Sequence, residues 1–109
     1  MAVGANVGKN NGMFEPIHGS APKHAGKDKV NPIAMILAVK EGLDWLGDRK
    51  QDPRLGKGAA AIEAAIIELL KKGNPLTYDL VGEQKAAKCS EVGQWIAEAA
   101  VRHLQAAAS

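Results

Sequence analysis

The sequence predicts an α/β chain that is mostly helical with one or two short strands, and three observations carry that reading. Apolar residues recur at helical spacing in three separate segments. One short segment, Met13–Ile17 (MFEPI), has the composition of a strand. Glycine, asparagine and proline gather in the stretches between. The 109 residues leave room for one domain at most. By the usual scaling, a chain of this size buries roughly 60–70% of its unfolded surface.

From Met1 to Gly12, glycine and asparagine favour positive φ angles, which predicts a loop. Met13–Ile17 follows as a strand that tolerates Pro16 only at its end or edge; a lone strand cannot bury itself, so its partner is expected outside the chain. Gly19–Lys29 has turn chemistry. Asn31 then stands as an N-cap with Pro32 at the first helical position, and a helix is predicted from Pro32 to Leu46, with Ile33, Ile36, Leu37, Leu43 and Leu46 as its stripe and Gly47 as its stop.

Asp48–Arg54 reads as a polar connection. A second helix is predicted over Ala59–Lys72, where Ile62, Ile66, Leu69 and Leu70 approach helical period and Lys71 and Lys72 suit the negative end of the helix dipole. Gly73–Cys89 reads as a long connector with one extended piece at Leu76–Leu80. The last helix starts at Ser90 and Glu91 and buries Val92, Trp95, Ile96, Ala99, Ala100 and Leu104. With aromatics at only 4%, the core is expected to be aliphatic and thinly filled.

The formal charge of +2 arises from scattered residues, 14 Lys and Arg against 12 Asp and Glu, which argues against nucleic acid or an anionic membrane as partner. No apolar run approaches the ~20 residues of a membrane span, and the first residues lack a signal-peptide pattern, so a soluble, cytoplasmic polypeptide is expected. Cys89, the single cysteine, excludes an intrachain disulfide and reads as a buried spectator thiol. Trp45 and Trp95 read as packing anchors. His103 reads as a helix-surface residue, since nothing near it has metal-ligand spacing.

The chemistry concentrates in EPIHGSAPKHAGKDKVNP, Glu15 to Pro32. A helix N-terminus offers unpaired N–H groups, glycine turns let backbone approach an anion, and Lys23, Lys27 and Lys29 add charge. Composition alone leaves this loop open between an anion-holding element and a solvated turn ahead of a capped helix. Neither G-x-G-x-x-G nor G-x-x-x-x-G-K-[ST] is present, so any nucleotide site is of another kind.

This loop, with GANVG before it and LTYDLVGEQKAAKCSEVGQWI (Leu76–Ile96) after it, resembles the C-terminal part of the β-decarboxylating dehydrogenases, the isocitrate and 3-isopropylmalate dehydrogenase family. The intact Glu-x-x-His-Gly-Ser-Ala-Pro segment followed by Asn-Pro carries the resemblance. The pair TYD and KCSE is more similar to isocitrate than to isopropylmalate members. The resemblance implies an isocitrate/isopropylmalate dehydrogenase-like fold, with residues 1–109 forming an incomplete domain, the C-terminal part of the cofactor-binding large domain.

It further implies NADP as cofactor. His18 and Asn31 would meet the adenine, Gly19, Ser20, Ala21 and Pro22 would shape the backbone around it, and Glu15 would lie toward the nicotinamide. Lys23 stands where NAD-using members tend to carry an acid and so argues for a 2′-phosphate. Tyr78 would donate to that phosphate, with His24 beside it, and Asp79 would lie close to the ribose. Two positions depart from the NADP pattern: His24 replaces a frequent tyrosine, and Gly82 an arginine found in some members.

The family reaction oxidises a 2-hydroxy acid by hydride transfer and then releases CO₂, with Mg²⁺ or Mn²⁺ polarising the carbonyl. The groups that hold metal and substrate and move protons have no counterpart here, so the chain is expected to carry no catalytic and no metal residues. It would be inert without the missing N-terminal portion, and homodimeric when complete. A stand-alone nucleotide-binding or subunit-interaction module, and a 3-isopropylmalate or related dehydrogenase, remain as alternatives.

Overall fold

A computed structural model of the chain describes residues 3–16 and 25–108. It opens on a hairpin of β1 (Val3–Val7) and β2 (Gly12–Pro16), paired antiparallel with Ala5 opposite Phe14 and closed by a Gly8 N–H to Asn11 carbonyl bond of 2.7 Å. Two sequence expectations are corrected here. The glycine-rich opening is a strand rather than a loop, and β2 finds its partner within the chain. The backbone ladder pairs the donors and acceptors that face each other across the two segments, whatever their low strand propensity. Phe14 then turns the hairpin onto the helices, meeting Trp45 at a centroid distance of 6.0 Å, with Gly42 leaving room for its ring.

Helix α1 spans Ile33–Lys50, four residues beyond its expected end. Gly47 does not stop it. That residue is buried at the crossing with α2, where an added Cβ would stand 3.2 Å from the Gly56 nitrogen and 3.3 Å from Leu55 Cβ. The stop is Gln51, in the left-handed region at φ 50°, followed by a bond from the Asp52 N–H to the Gly47 carbonyl at 3.0 Å.

The expected polar connection therefore shrinks to Gln51 and Asp52. Helix α2 runs Pro53–Lys72; Asp52 caps it by accepting from the Arg54 N–H at 3.0 Å, and proline occupies its first position. Gly56 and Gly58 interrupt the apolar period over its first two turns, which is why the sequence shows only Ala59–Lys72. Gly73, at φ 78°, ends it by donating to the Leu69 carbonyl at 2.8 Å.

The connector is corrected as well. Leu76 and Thr77 are buried, and Tyr78–Val81 forms one helical turn, α3, in place of an extended piece, because the Thr77 carbonyl accepts from both Leu80 and Val81. A 3₁₀ turn over Glu83–Lys85 follows, and the Ala87 N–H returns to the Leu76 carbonyl at 2.8 Å. Helix α4 covers Cys89–Ala108.

The core lies where α1, α2 and α4 meet, around Ile33, Ile66, Leu69, Leu76, Val92 and Ile96. Six of the twelve buried apolar residues described are alanines, so the helices approach closely and the thin aliphatic core expected from composition is what forms. Leu46, Leu70 and Leu104, assigned to the inner stripes, are instead exposed by 38–42%. His103 is half-buried rather than free on the surface: its Nε2 lies 2.8 Å from Glu68 on α2, joining α4 to that helix. None of the described helices is long and apolar enough to cross a membrane.

Candidate functional site

Asn31 sits where the chain enters α1. Its Oδ1 accepts from the Ile33 N–H at 2.9 Å, the side-chain cap expected from sequence, while its Nδ2 donates to Asp79 Oδ2 at 3.0 Å. One residue thus starts the helix and reaches the connector. Asp79 also accepts from the hydroxyl of Thr77, which is 1% exposed.

Partial burial pushes the Asp79 carboxyl up. The hydrogen bonds from Thr77 and then Asn31 outweigh it, leaving the group below the usual aspartate range and ionised at neutral pH. Tyr78, beside it on α3, is half-buried, and Lys29 stands over its ring with Nζ 5.3 Å from the centroid. Lys29 also pairs with Glu83 at 2.9 Å.

The loop exit is held at a further point. Asp28, at φ 54°, accepts from the Ser90 N–H at 2.8 Å and from the Ser90 hydroxyl at 2.5 Å, and its carbonyl accepts from the Cys89 N–H at 2.9 Å. Those two bonds from Ser90 hold the Asp28 carboxyl down. Cys89 itself is half-buried, and burial first, then the nearby Asp28 charge, push its thiol up, which keeps it protonated and inert.

Of the residues expected at the site, Asn31, Tyr78 and Asp79 come together from segments far apart in sequence. Glu15 is exposed on β2 opposite Gly4, and no hydrogen bond or ion pair among the described residues joins it to that group. His18, Gly19, Ser20, Ala21, Pro22, Lys23 and His24 lie outside the described residues. Gly82 gains a backbone reason: at φ 85° and ψ 162° it occupies a region almost reserved for glycine, so an arginine there would need another turn.

Two contributors went unseen in the sequence. Thr77 looks like a connector residue until its burial is known, and only its position two residues before an aspartate hinted at a bond. The value of Asp28 lies in a partner 62 positions away, for which no local signal exists.

The donor set suits a nucleoside. An ionised carboxylate accepts from sugar hydroxyls, an amide matches a heteroaromatic edge, and a phenol beside an ammonium suits an anionic group. A divalent cation fits poorly: among the described residues no three His, Cys, Asp or Glu side chains converge.

Residues 1–96 match the isocitrate/isopropylmalate dehydrogenase family model. An isocitrate dehydrogenase [NADP] of Thermus thermophilus is 39% identical over 90 residues, 83% of this chain and 17% of that protein. A 3-isopropylmalate dehydrogenase of Saccharolobus solfataricus is 39% identical over 85 residues, 78% of this chain and 25% of the relative. The crystal structure of the TT0538 protein from Thermus thermophilus superposes with a TM-score of 0.73 at 37% identity, covering 87% of this chain and 18% of that one. The chain therefore spans between a sixth and a quarter of the length of these proteins.

Proposed function

The chain belongs to the isocitrate/isopropylmalate dehydrogenase family, and from that membership we propose that it forms the adenosine-holding part of the cofactor site in an NADP-dependent isocitrate dehydrogenase. Residues 1–109 would make up the C-terminal part of the large domain, working with the rest of the large domain in a homodimer. A cytoplasmic setting suits the single cysteine.

The observation that carries this reading is the Asn31–Asp79 hydrogen bond, which joins the Asn-Pro helix start to the TYD turn at 3.0 Å. In the proposed complex, Asn31 and His18 meet the adenine edge, and Gly19 to Pro22 curve around it. Asp79, held ionised, accepts from the ribose hydroxyls. Tyr78, Lys23 and His24 face the 2′-phosphate, and Glu15 lies toward the nicotinamide.

When bound, NADP supplies the hydride acceptor for oxidation of isocitrate to 2-oxoglutarate and CO₂. Mg²⁺ or Mn²⁺ would be held by groups without a counterpart in this chain. In this reading the chain binds and orients the cofactor; it moves no proton and touches no carboxylic substrate. The chain by itself is expected to be inactive.

Equal identity to a 3-isopropylmalate dehydrogenase favours a second reading that differs only in the substrate. Titration with NADP, NAD and adenosine 2′,5′-bisphosphate, alongside assays with isocitrate and with 3-isopropylmalate, tests both. Binding of NADP and the bisphosphate in preference to NAD, without turnover, is the expected result. A preference for NAD would sink the NADP assignment, and turnover of either acid by the chain alone would overturn its inactivity.

A further inference from the structure

We infer that Asp28 is a positioning residue for the adenosine clamp, tying the end of the cofactor loop to the N-terminus of α4 so that Asn31, three residues on, is presented in a fixed place. The inference rests on the clamp reading proposed above.

A helix leaves its first N–H groups without intrahelical partners. In α4 two of these, from Cys89 and Ser90, are met from across the chain. The Asp28 carbonyl takes the Cys89 N–H at 2.9 Å, and its carboxylate takes the Ser90 N–H at 2.8 Å and the Ser90 hydroxyl at 2.5 Å. Glu91 supplies the other half of a capping box by accepting from the Lys88 N–H at 3.1 Å. Lys88 has no side-chain oxygen with which to complete the box, and Asp28 does so from 62 positions away.

The backbone follows this role. Asp28 holds a φ of 54°, which costs a non-glycine residue energy and is tolerated best by Asp and Asn. What lies on either side of the contact differs in rigidity. The grips themselves, Asp28 on Ser90, Lys29 on Glu83 and Asn31 on Asp79, are all solvent-exposed, but only the first ends on α4, which Val92 and Ile96 fix in the core. Asp28 therefore joins this exit to an element anchored in the core. The separations of 62, 54 and 48 residues show three grips, from Asp28, Lys29 and Asn31, closing on one stretch of chain between Asp79 and Ser90.

A structural cap and a positioning residue are separated by comparing Asp28→Ala, Asp28→Asn and Glu91→Gln in this chain. Two readouts apply: affinity for NADP and adenosine 2′,5′-bisphosphate, and, without ligand, hydrogen exchange of the Ile33 amide, which is bonded to Asn31 Oδ1. Loss of a charge-assisted bond should weaken both ligands about tenfold in Asp28→Ala and speed Ile33 exchange about as much. Asp28→Asn keeps an acceptor for Ser90 and should recover part of each. Glu91→Gln should lower the melting temperature and leave both readouts alone.

Unchanged Ile33 exchange in Asp28→Ala would overturn the inference, and so would Glu91→Gln matching Asp28→Ala on both readouts. If the unmodified chain binds neither ligand, the clamp reading fails instead, and the exchange comparison still decides whether Asp28 holds Asn31.

Discussion

Asn31 donates its side-chain amide to Asp79 Oδ2 at 3.0 Å across 48 residues of sequence, while the same side chain caps α1 through the Ile33 N–H. The start of the first helix and the TYD turn are thereby set by one residue. An amide so held on both its oxygen and its nitrogen has a fixed face, which in the proposed complex would keep donor and acceptor from exchanging at the adenine edge.

A double-mutant cycle measures that link. Asn31→Ala removes both the cap and the bond and should cost about 1–2 kcal/mol. Asp79→Ala removes that bond together with the one from the buried Thr77 hydroxyl, so only the coupling between the two substitutions isolates the Asn31–Asp79 pair. The coupling energy between them should be about 0.5–1 kcal/mol, small because the pair faces solvent. Urea midpoints of the four proteins give the value, and strict additivity would mean that the two residues do not interact in solution.

Four carboxylates fold into positions that lower their pKa: Asp28 through Ser90, Asp52 through Arg54, Glu68 through His103 and then Arg102, and Asp79 through Thr77 and Asn31 against its burial. A carboxylate whose folded value is depressed contributes stability that is complete above its unfolded value, at roughly pH 4, and is lost as pH falls through the folded value. Denaturant midpoints should therefore fall on acidification below about pH 5. Asp79→Asn should make the fall shallower, and an acid profile that superimposes on that of the parent chain would count against its share.

Much of this was legible in the sequence where the signal was local. The cap at Asn31 and the inner positions Ile33, Ile66, Leu69, Val92 and Ile96 could be read from local pattern, and the meeting of the Asn-Pro and TYD segments was implied only by the resemblance. What escaped was set by distant partners. The strand at Val3–Val7 has poor propensity and exists because β2 pairs with it. Gly47 carries a stop signal, yet it serves a helix crossing, where the absence of a side chain is worth more than its freedom to turn. Thr77 and Asp28 are ordinary connector residues until the fold supplies their partners.

Two glycines should respond to alanine in opposite directions. At Gly47 a Cβ would press on the Gly56 nitrogen at 3.2 Å and the Asp52 carbonyl at 3.4 Å, backbone atoms that cannot swing aside. Crowding of this kind costs about 1–3 kcal/mol, more than the ~1 kcal/mol by which alanine outranks glycine in a helix. Gly58 lies inside α2 with nothing within 4 Å of the added carbon, so Gly58→Ala should stabilise the chain by about 0.5–1 kcal/mol. Melting temperatures check both signs, and a stabilising Gly47→Ala would mean that α1 and α2 cross less closely than 3.2 Å implies.

Lys23 and His24 follow Pro22 in the loop outside the described residues. If they face a 2′-phosphate, as proposed, Lys23→Glu replaces an attraction with a repulsion and should lower the preference for NADP over NAD by roughly ten- to hundredfold, at about 1.4 kcal/mol per tenfold. Histidine adds a pH term. Its cation is the form a phosphate favours, so the preference should be greatest below the ordinary imidazole value of roughly 6.5 and decline as pH rises through the bound-state value above it. His24→Tyr should abolish that decline while Lys23→Glu leaves it in place at a lower level. Affinities for NADP and NAD measured from mildly acidic to alkaline pH decide the matter, and a ratio that ignores both pH and Lys23 would remove these residues from the phosphate.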